Sequence, residues 1–331
     1  MKPKALFILG KEHFYEIYGA EELSRIHAMC EVIAPSMTPD EAKSHPELLA
    51  EAELVFSGWG GPKLNADYLA LLPKLRAVFY GAGSIRFMVT PEFWARGITI
   101  TSSWVANAVP VTELALAEIL FALKQGWHYV LEGRRTHAYT PRIDCAGAFR
   151  TTVALISLGM IGKRLAKMLK SFDLNVLAYD PFATQETAAE LGVTLTTLED
   201  AFLRADVVSI HTPWLKETEK LVTGELISSM KPHATLINTS RGAIIDEPAM
   251  CKVLAGRPDL TAVLDVTYPE PPAADSPLFT LPNVVLTPHI AGSLSGECRR
   301  MGQYAVDECE RYLNGQPLKY QVTQAMAEKM A

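Results

Sequence analysis

Residues 153–180 read VALISLGMIGKRLAKMLKSFDLNVLAYD, and this stretch decides the fold. An apolar run over Thr152–Ser157 has the character of a buried strand, Gly159-Met160-Ile161-Gly162 opens the helix IGKRLAKMLKSF, and LNVLAY is a second strand closed by Asp180. A strand–turn–helix unit of this kind points free backbone N–H groups and the positive end of a helix at a pyrophosphate. Gly159 allows the backbone to approach the phosphates, and Gly162 allows helix and strand to pack closely. Asp180, eighteen residues past Gly162, suits the acid that bonds ribose hydroxyls. Its charge repels a 2′-phosphate, which favours NAD over NADP.

Ser157 stands where the first glycine of G-x-G-x-x-G belongs. The substitution is costly if that residue needs φ > 0 and cheap if it lies in the β region. Three readings follow: a working site with one substitution, a degraded site, or a chance set of glycines. The ordered strand, turn, helix, strand and terminal acid favour the first. A P-loop is excluded, because Lys163 is followed by Arg164 rather than Ser or Thr.

Outward from this unit, apolar strands alternate with helical patterns. ALFIL, CEVIA, ELVFSG, LRAVFYG and GITIT precede it; ADVVSIH, ATLINTS, TAVLDV and NVVLTPH follow TVALIS and LNVLAY. The later helices are expected to begin near Ile161, Gln185, Leu198, Glu219 and Glu247. Such alternation means mostly parallel α/β sheets, and the second series has six strands, the number of a dinucleotide-binding sheet. Val109–Arg135 reads as one long helix joining two domains, with apolar residues around much of its circumference. Ser295–Gly315 reads as an amphipathic helix returning to the first domain. The expected division is 1–104 with 293–331, and 105–292 between them.

The chain has 331 residues, 49% hydrophobic and 21% charged, enough for two domains. A net charge of −6 and pI near 5.8 argue against nucleic-acid or anionic-membrane partners, which call for a basic face. No apolar run approaches the ~20 residues that span a bilayer. The N-terminal run Ala5–Leu9 is too short for a signal peptide and reads as a strand ending at Gly10. Five scattered cysteines without a C-x-x-C pair indicate neither a disulfide framework nor a metal site, and suit a reducing, cytoplasmic compartment. The sequon Asn238-Thr239-Ser240 follows a buried-looking strand, so no glycan is expected there.

The landmarks ADVVSIHTP, LINTSRGAIID, LDVTYPEPP and LTPHIAG within 206–292 resemble the D-isomer-specific 2-hydroxyacid dehydrogenase family. RGITITSSWVANAVPVTELALAEILFAL extends the likeness over nearly the whole chain. The resemblance implies two doubly wound α/β domains, a Rossmann NAD-binding domain inserted into a flavodoxin-like substrate domain. It implies an NAD-dependent exchange of a hydride between a small 2-keto acid and its D-2-hydroxy acid.

The family's catalytic order Arg, Glu, His falls on Arg241, Glu270 and His289. His289 would donate the proton that meets charge on the carbonyl oxygen. Glu270 would hold the imidazole and favour its charged form. Arg241 would grip the substrate carboxylate with its planar fork and polarise the carbonyl. The resemblance also puts Gly159, Met160, Ile161 and Gly162 at the pyrophosphate, His211, Thr212 and Pro213 on the adenosine side, and Thr239, Ser240 and Gly292 with Arg241 and His289 among the cofactor contacts. Asp265 is either a carboxamide acceptor or a plain strand-end acid. Ala82, Gly83 and Ser84 would offer N–H groups to the substrate carboxylate.

Ile85 departs from the family, standing where many relatives carry aspartate, and Arg86 after it is also unusual. Trp59 and Trp104 either shape an atypical pocket or are buried structural residues. Arg86 either meets a second anionic group on the substrate or faces solvent. Glyoxylate, hydroxypyruvate and phosphorylated relatives all fit as substrates. Formate dehydrogenase fits less well, since that branch carries Gln at the position of Glu270. Phosphoglycerate dehydrogenase stays open, although only a short tail, and no regulatory domain, follows Gly315. From a different class come an NADH-sensing, co-repressor-like binding protein and a catalytically inactive relative. Cofactor binding without turnover would separate both from the enzyme. The apolar circumference of Val109–Arg135 implies a homodimer.

Overall fold

The computed structural model describes residues 2–330. In chain order the elements begin with β1 (Lys4–Phe7), α1 (Lys11–Ile17), α2 (Ala20–Met29), β2 (Glu31–Val32), α3 (Pro39–Lys43), α4 (Pro46–Glu51) and β3 (Leu54–Ser57). There follow α5 (Ala66–Ala70), β4 (Ala77–Tyr80), α6 (Pro91–Ala95), β5 (Thr99–Ser102), α7 (Trp104–Leu123), α8 (Gly126–Thr136), β6 (Phe149–Ile156), α9 (Met160–Leu169) and β7 (Asp173–Tyr179). The remainder comprises α10 (Gln185–Leu191), β8 (Thr194–Leu195), α11 (Leu198–Arg204), β9 (Val207–Ile210), α12 (Gly224–Ser228), β10 (Thr235–Asn238), α13 (Glu247–Gly256), β11 (Thr261–Leu264), β12 (Val284–Leu286), α14 (Cys298–Leu313) and α15 (Gln324–Ala327).

Two compact units result: the chain up to Ala108 with Ser293–Met330, and Val109–Gly292. The first holds a parallel sheet in the order β2-β1-β3-β4-β5, the flavodoxin-like winding. Its inner strands are buried along their length, which is why they read as unbroken apolar runs. The C-terminal segment belongs to this unit: α14 crosses α1 so closely that a Cβ on Gly302 would stand 1.9 Å from the Ile17 carbonyl oxygen.

The second unit holds β12-β11-β10-β9-β6-β7-β8, all parallel. Ile156 at the end of β6 lies level with Tyr179 of β7 and Ile210 of β9. From β6 the chain winds to one side into β7 and later to the other into β9. This reversal of strand order opens a crevice at the carboxyl ends, where doubly wound sheets bind ligands.

Four sequence expectations are corrected. The second sheet has seven strands, because the two-residue β8 is too short to register as an apolar run. The helix expected over Val109–Arg135 is two helices: Gln125 adopts the left-handed conformation, with φ 56°, and breaks the hydrogen-bond ladder between α7 and α8. The helix expected near Glu219 starts at Gly224, where the Thr223 side chain caps the Leu226 N–H. Finally, α7 is a continuous 20-residue helix with a mean hydropathy of 1.5, long and apolar enough to cross a bilayer by length and composition. Polar residues and Pro110 interrupt its apolar run in sequence, yet the helix runs through them. Its buried stripe of Ala115, Ile119, Ala122 and Leu123 packs in the same core as β6 residues Val153 and Leu155.

Candidate active site

Just past β6, Ser157 has φ 83°, the left-handed region in which a side chain costs on the order of 1 kcal/mol or more. The expensive alternative for this residue is therefore the one realised. Two contacts brace the turn. The Ser157 N–H donates to the Tyr179 carbonyl at 2.7 Å, and the Leu158 N–H donates to Asp180 Oδ2 at 2.7 Å. Asp180 Oδ1 accepts the Phe182 N–H at 2.8 Å. The acid expected to bond ribose thus also holds the loops on either side of it.

Gly162 has no room for a side chain, since a Cβ would lie 2.1 Å from the Ser157 carbonyl oxygen. Gly159 is the opposite case: a Cβ there would meet nothing within 4 Å. It is the N-cap of α9 and offers no side chain to the first N–H groups of the helix, those of Met160, Ile161 and Gly162. Open space above uncapped N–H groups at the positive helix end is the chemistry a pyrophosphate requires.

The loop after β9 is pinned beside this turn. The His211 N–H donates to the Ile156 carbonyl at 2.9 Å, and Thr212 Oγ1 donates to the same oxygen at 3.2 Å. The His211 ring is buried, with Nε2 3.0 Å from Ser209 Oγ and Nδ1 unpartnered. Burial pushes its pKa down to about 4, so the ring is neutral at physiological pH. The Pro213 carbonyl accepts the Thr218 hydroxyl at 2.6 Å, closing the loop.

After β10, Asn238 organises the next strand end. Its Oδ1 accepts the Ser240 N–H and hydroxyl at 3.0 and 2.8 Å, while Nδ2 donates to the Arg241 carbonyl at 3.0 Å. Thr239 Oγ1 is buried without a partner. The part-buried Arg241 guanidinium donates through Nη1 to the Ser240 carbonyl at 2.6 Å. Gly242 presses directly on the loop that leads to Glu270: a Cβ would stand 2.0 Å from the Thr267 carbonyl carbon.

Glu270 lies between two cis X–Pro bonds, Tyr268–Pro269 and Glu270–Pro271. Its Oε1 is 2.6 Å from His289 Nδ1, and both side chains are about half exposed. His289 itself has φ 54°. Asp265, buried at the end of β11, holds that backbone in place. Its Oδ1 accepts the Ile290 N–H at 2.8 Å and the Thr287 hydroxyl at 2.6 Å, its Oδ2 accepts the Ala291 N–H at 2.9 Å, and its carbonyl accepts the His289 N–H at 2.9 Å. Gly292 ends the unit. Glu270 and His289 are thus in contact, and Arg241 stands two strands from His289, after β10, with β11 between.

In the first unit the loop Gly81–Ser84 follows β4. Ser102 Oγ donates to the carbonyls of Ala82 and Gly83. Ile85 is fully buried in the core of this unit, a packing reason for an apolar residue at that position. Arg86 Nη1 donates to the Met330 carbonyl at 3.4 Å. Trp59 and Trp104 both pack against the same core while part-exposed, and the Trp59 ring meets His13 edge-on at 5.2 Å.

Sequence reasoning missed Phe182, Thr287 and Asn107. Thr287 had a readable signal, a hydroxyl two residues before His289. The other two act through a backbone group and through a partner 186 residues away, which no local pattern reveals.

Comparison with known proteins adds the following. A family model described as "D-isomer specific 2-hydroxyacid dehydrogenase, NAD binding domain" matches residues 117–291. The chain is 33% identical over 255 residues to D-3-phosphoglycerate dehydrogenase of Mycobacterium tuberculosis, covering 76% of this chain and 48% of that protein. It is 32% identical over 258 residues to glyoxylate reductase of Korarchaeum cryptofilum, covering 76% of this chain and 77% of the relative. The chain spans about half the length of the phosphoglycerate dehydrogenases it matches. Among solved structures, the TT0316 protein of Thermus thermophilus superposes with a TM-score of 0.77 at 26% identity, over 97% of this chain and all of that one. D-mandelate dehydrogenase of Rhodotorula graminis superposes with a TM-score of 0.81 at 24% identity, covering 98% and 99%, a likeness of fold.

Proposed function

The chain belongs to the D-isomer specific 2-hydroxyacid dehydrogenase family and carries its NAD-binding domain, and from that premise we propose that it interconverts a small 2-keto acid and the corresponding D-2-hydroxy acid. The observation that carries the reading is the 2.6 Å contact between His289 Nδ1 and Glu270 Oε1, on the same edge of the sheet as the Gly159 turn. Bound NAD supplies or takes up the hydride. With Nδ1 turned to Glu270, His289 has Nε2 left to give a proton to the carbonyl oxygen in reduction and to remove it in oxidation. Glu270 fixes the ring orientation. Arg241 binds the carboxylate and polarises the carbonyl; in the first unit, the family resemblance assigns the N–H groups of Ala82, Gly83 and Ser84 to a substrate carboxylate.

On the cofactor side, Met160 and Ile161 give N–H groups to the pyrophosphate. Gly159, Gly162, His211, Thr212, Pro213, Thr239, Ser240, Asp265 and Gly292 line the remainder. Asp180 Oδ1 accepts one backbone N–H and so keeps a lone-pair direction for the ribose hydroxyls, and the carboxylate disfavours NADP. We also propose a homodimer, supported by the exposed Phe121, Val130, Tyr139 and Phe149 on and after α7 and α8, and a cytoplasmic setting, supported by five unbridged cysteines.

The test is NADH oxidation by the purified chain across glyoxylate, hydroxypyruvate and larger 2-keto acids, with NADPH run alongside. Turnover with NADH that exceeds turnover with NADPH is expected. NADH binding without turnover on any acid would overturn the enzymatic reading in favour of a sensor.

A further inference from the structure

The chain passes between the two units twice, after Ala108 and after Gly292. One side chain joins the residues beside both passages. Asn107 precedes the first, and its Oδ1 accepts the N–H of Ser293, the first residue after the second, at 2.8 Å. Ser293 is 2% exposed, so water does not replace this acceptor, and a buried N–H left without one is costly. The hold on the chain leaving His289 is then nearly continuous. Asp265 grips Ile290 and Ala291, Asn107 grips Ser293, and Gly292 alone lies between the two grips.

The other end of the same amide faces the loop Gly81–Ser84. A Cβ built on Gly83 would stand 3.4 Å from Asn107 Nδ2, so the amide lies over the face of Gly83 where a side chain would otherwise project. The loop is fastened from beneath by Ser102 through the carbonyls of Ala82 and Gly83, and Asn107 stands beside the second of these residues. Asn107 is itself anchored in the first turn of α7, where its N–H donates to the Ser103 carbonyl.

We infer that Asn107 is a positioning residue, which ties the loop Gly81–Ser84 and Ser293, the residue at which the chain re-enters this unit, to one point. The inference rests on the function proposed above in taking that loop as the binder of the substrate carboxylate. Asn107 touches neither substrate nor cofactor in this account. It acts by fixing where the loop's N–H groups stand relative to Ser293.

The experiment compares Asn107→Ala and Asn107→Asp with the wild-type chain. Asp keeps an oxygen for the Ser293 N–H, and Ala does not. Four readouts are taken: KM and kcat with glyoxylate, the NADH Kd by fluorescence, and amide hydrogen exchange in peptides covering Gly81–Arg86 and Ser293. Asn107→Ala should raise KM about tenfold, the equivalent of one lost hydrogen bond, with kcat and the NADH Kd within about twofold. Both peptides should exchange faster. Asn107→Asp should restore protection at Ser293 and bring KM most of the way back.

Unchanged exchange at either peptide in Asn107→Ala, or an NADH Kd that weakens as much as KM, would overturn the inference. If the Ala variant does not fold, Asn107→Asp decides, and an unprotected Ser293 amide there overturns it too. Should the wild-type chain turn over no keto acid, the proposed function fails. The exchange results then stand by themselves: faster exchange at both segments upholds the tie, and wild-type exchange at either refutes it.

Discussion

Asp180 Oδ2 accepts the Leu158 N–H at 2.7 Å, so the acid that closes β7 also braces the turn that Ser157 strains. Position 180 therefore bears on local stability and, in the function proposed above, on cofactor choice as well. Asp180→Ala should lower the unfolding free energy by about 2 kcal/mol, the scale of a charge-assisted hydrogen bond, as well as narrow the preference for NADH over NADPH. Ser157→Gly should have the opposite effect on stability, a gain of about 1 kcal/mol from relief at φ 83°. Urea denaturation of both variants checks the pair. Equal stability of Asp180→Ala and wild type would show that the Leu158 contact contributes nothing.

Gly242 offers a second test of close approach. An added methyl would overlap the Thr267 backbone, 2.0 Å from its carbonyl carbon, and neither backbone yields cheaply. Gly242→Ala should cost about 2–3 kcal/mol as an overpacking substitution and should impair turnover, because the displaced loop is the one that ends at Glu270. Thermal unfolding and kcat together measure it. A stable, fully active variant would mean that Thr267 can move without consequence.

For the proposed chemistry, His289→Ala should lower kcat by about a hundredfold or more while the NADH Kd stays within about twofold. Arg241→Ala should chiefly raise KM for the keto acid. Glu270→Gln should fall between the wild type and His289→Ala in kcat, since a neutral amide still orients the ring but no longer supports its charge. Steady-state kinetics with fluorescence titration of NADH separates these outcomes. Wild-type kcat in His289→Ala would remove it from the acid–base role.

His211 makes stability depend on pH. Its folded pKa is about 4 against about 6.5 in the unfolded chain, so the unfolded state binds more protons between those values. The contribution is whole above pH 6.5 and is lost progressively as pH falls toward 4. For a fully buried ring it amounts to about 3 kcal/mol. His211→Gln should flatten this limb in denaturation curves recorded from pH 7 to pH 4. An unaltered slope would assign the acid sensitivity to other groups.

Much of this architecture was legible because parallel strands buried on both faces must be apolar along their length, and each such run in the sequence corresponds to a strand. The reading faltered where the determinant was not hydrophobicity. Nothing in the pattern at Gln125 signals a left-handed residue, and the two residues of β8 carry too little surface to leave a period. At the candidate site, the resemblance of LINTSRGAIID, LDVTYPEPP and LTPHIAG to family motifs pointed to Arg241, Glu270 and His289. Asp265 was legible as a strand-end acid but its grip on the backbone at 289–291 was not, and Asn238 was hidden altogether, because both work through backbone N–H and carbonyl groups that every residue possesses.

The clamp at Asp265 bears on which sequences this region tolerates. Its carboxylate recognises main-chain donors at 290 and 291, so it sets no demand on the side chains there, with one exception, and at 291 burial alone limits their size. Proline lacks the donor and is forbidden at both. A saturation library across 287–291, sorted for folded protein, should return a broad alphabet lacking proline at the part-exposed position 290, and only small residues other than proline at the buried position 291. At 287 it should return a narrow one, restricted to residues that keep a hydroxyl.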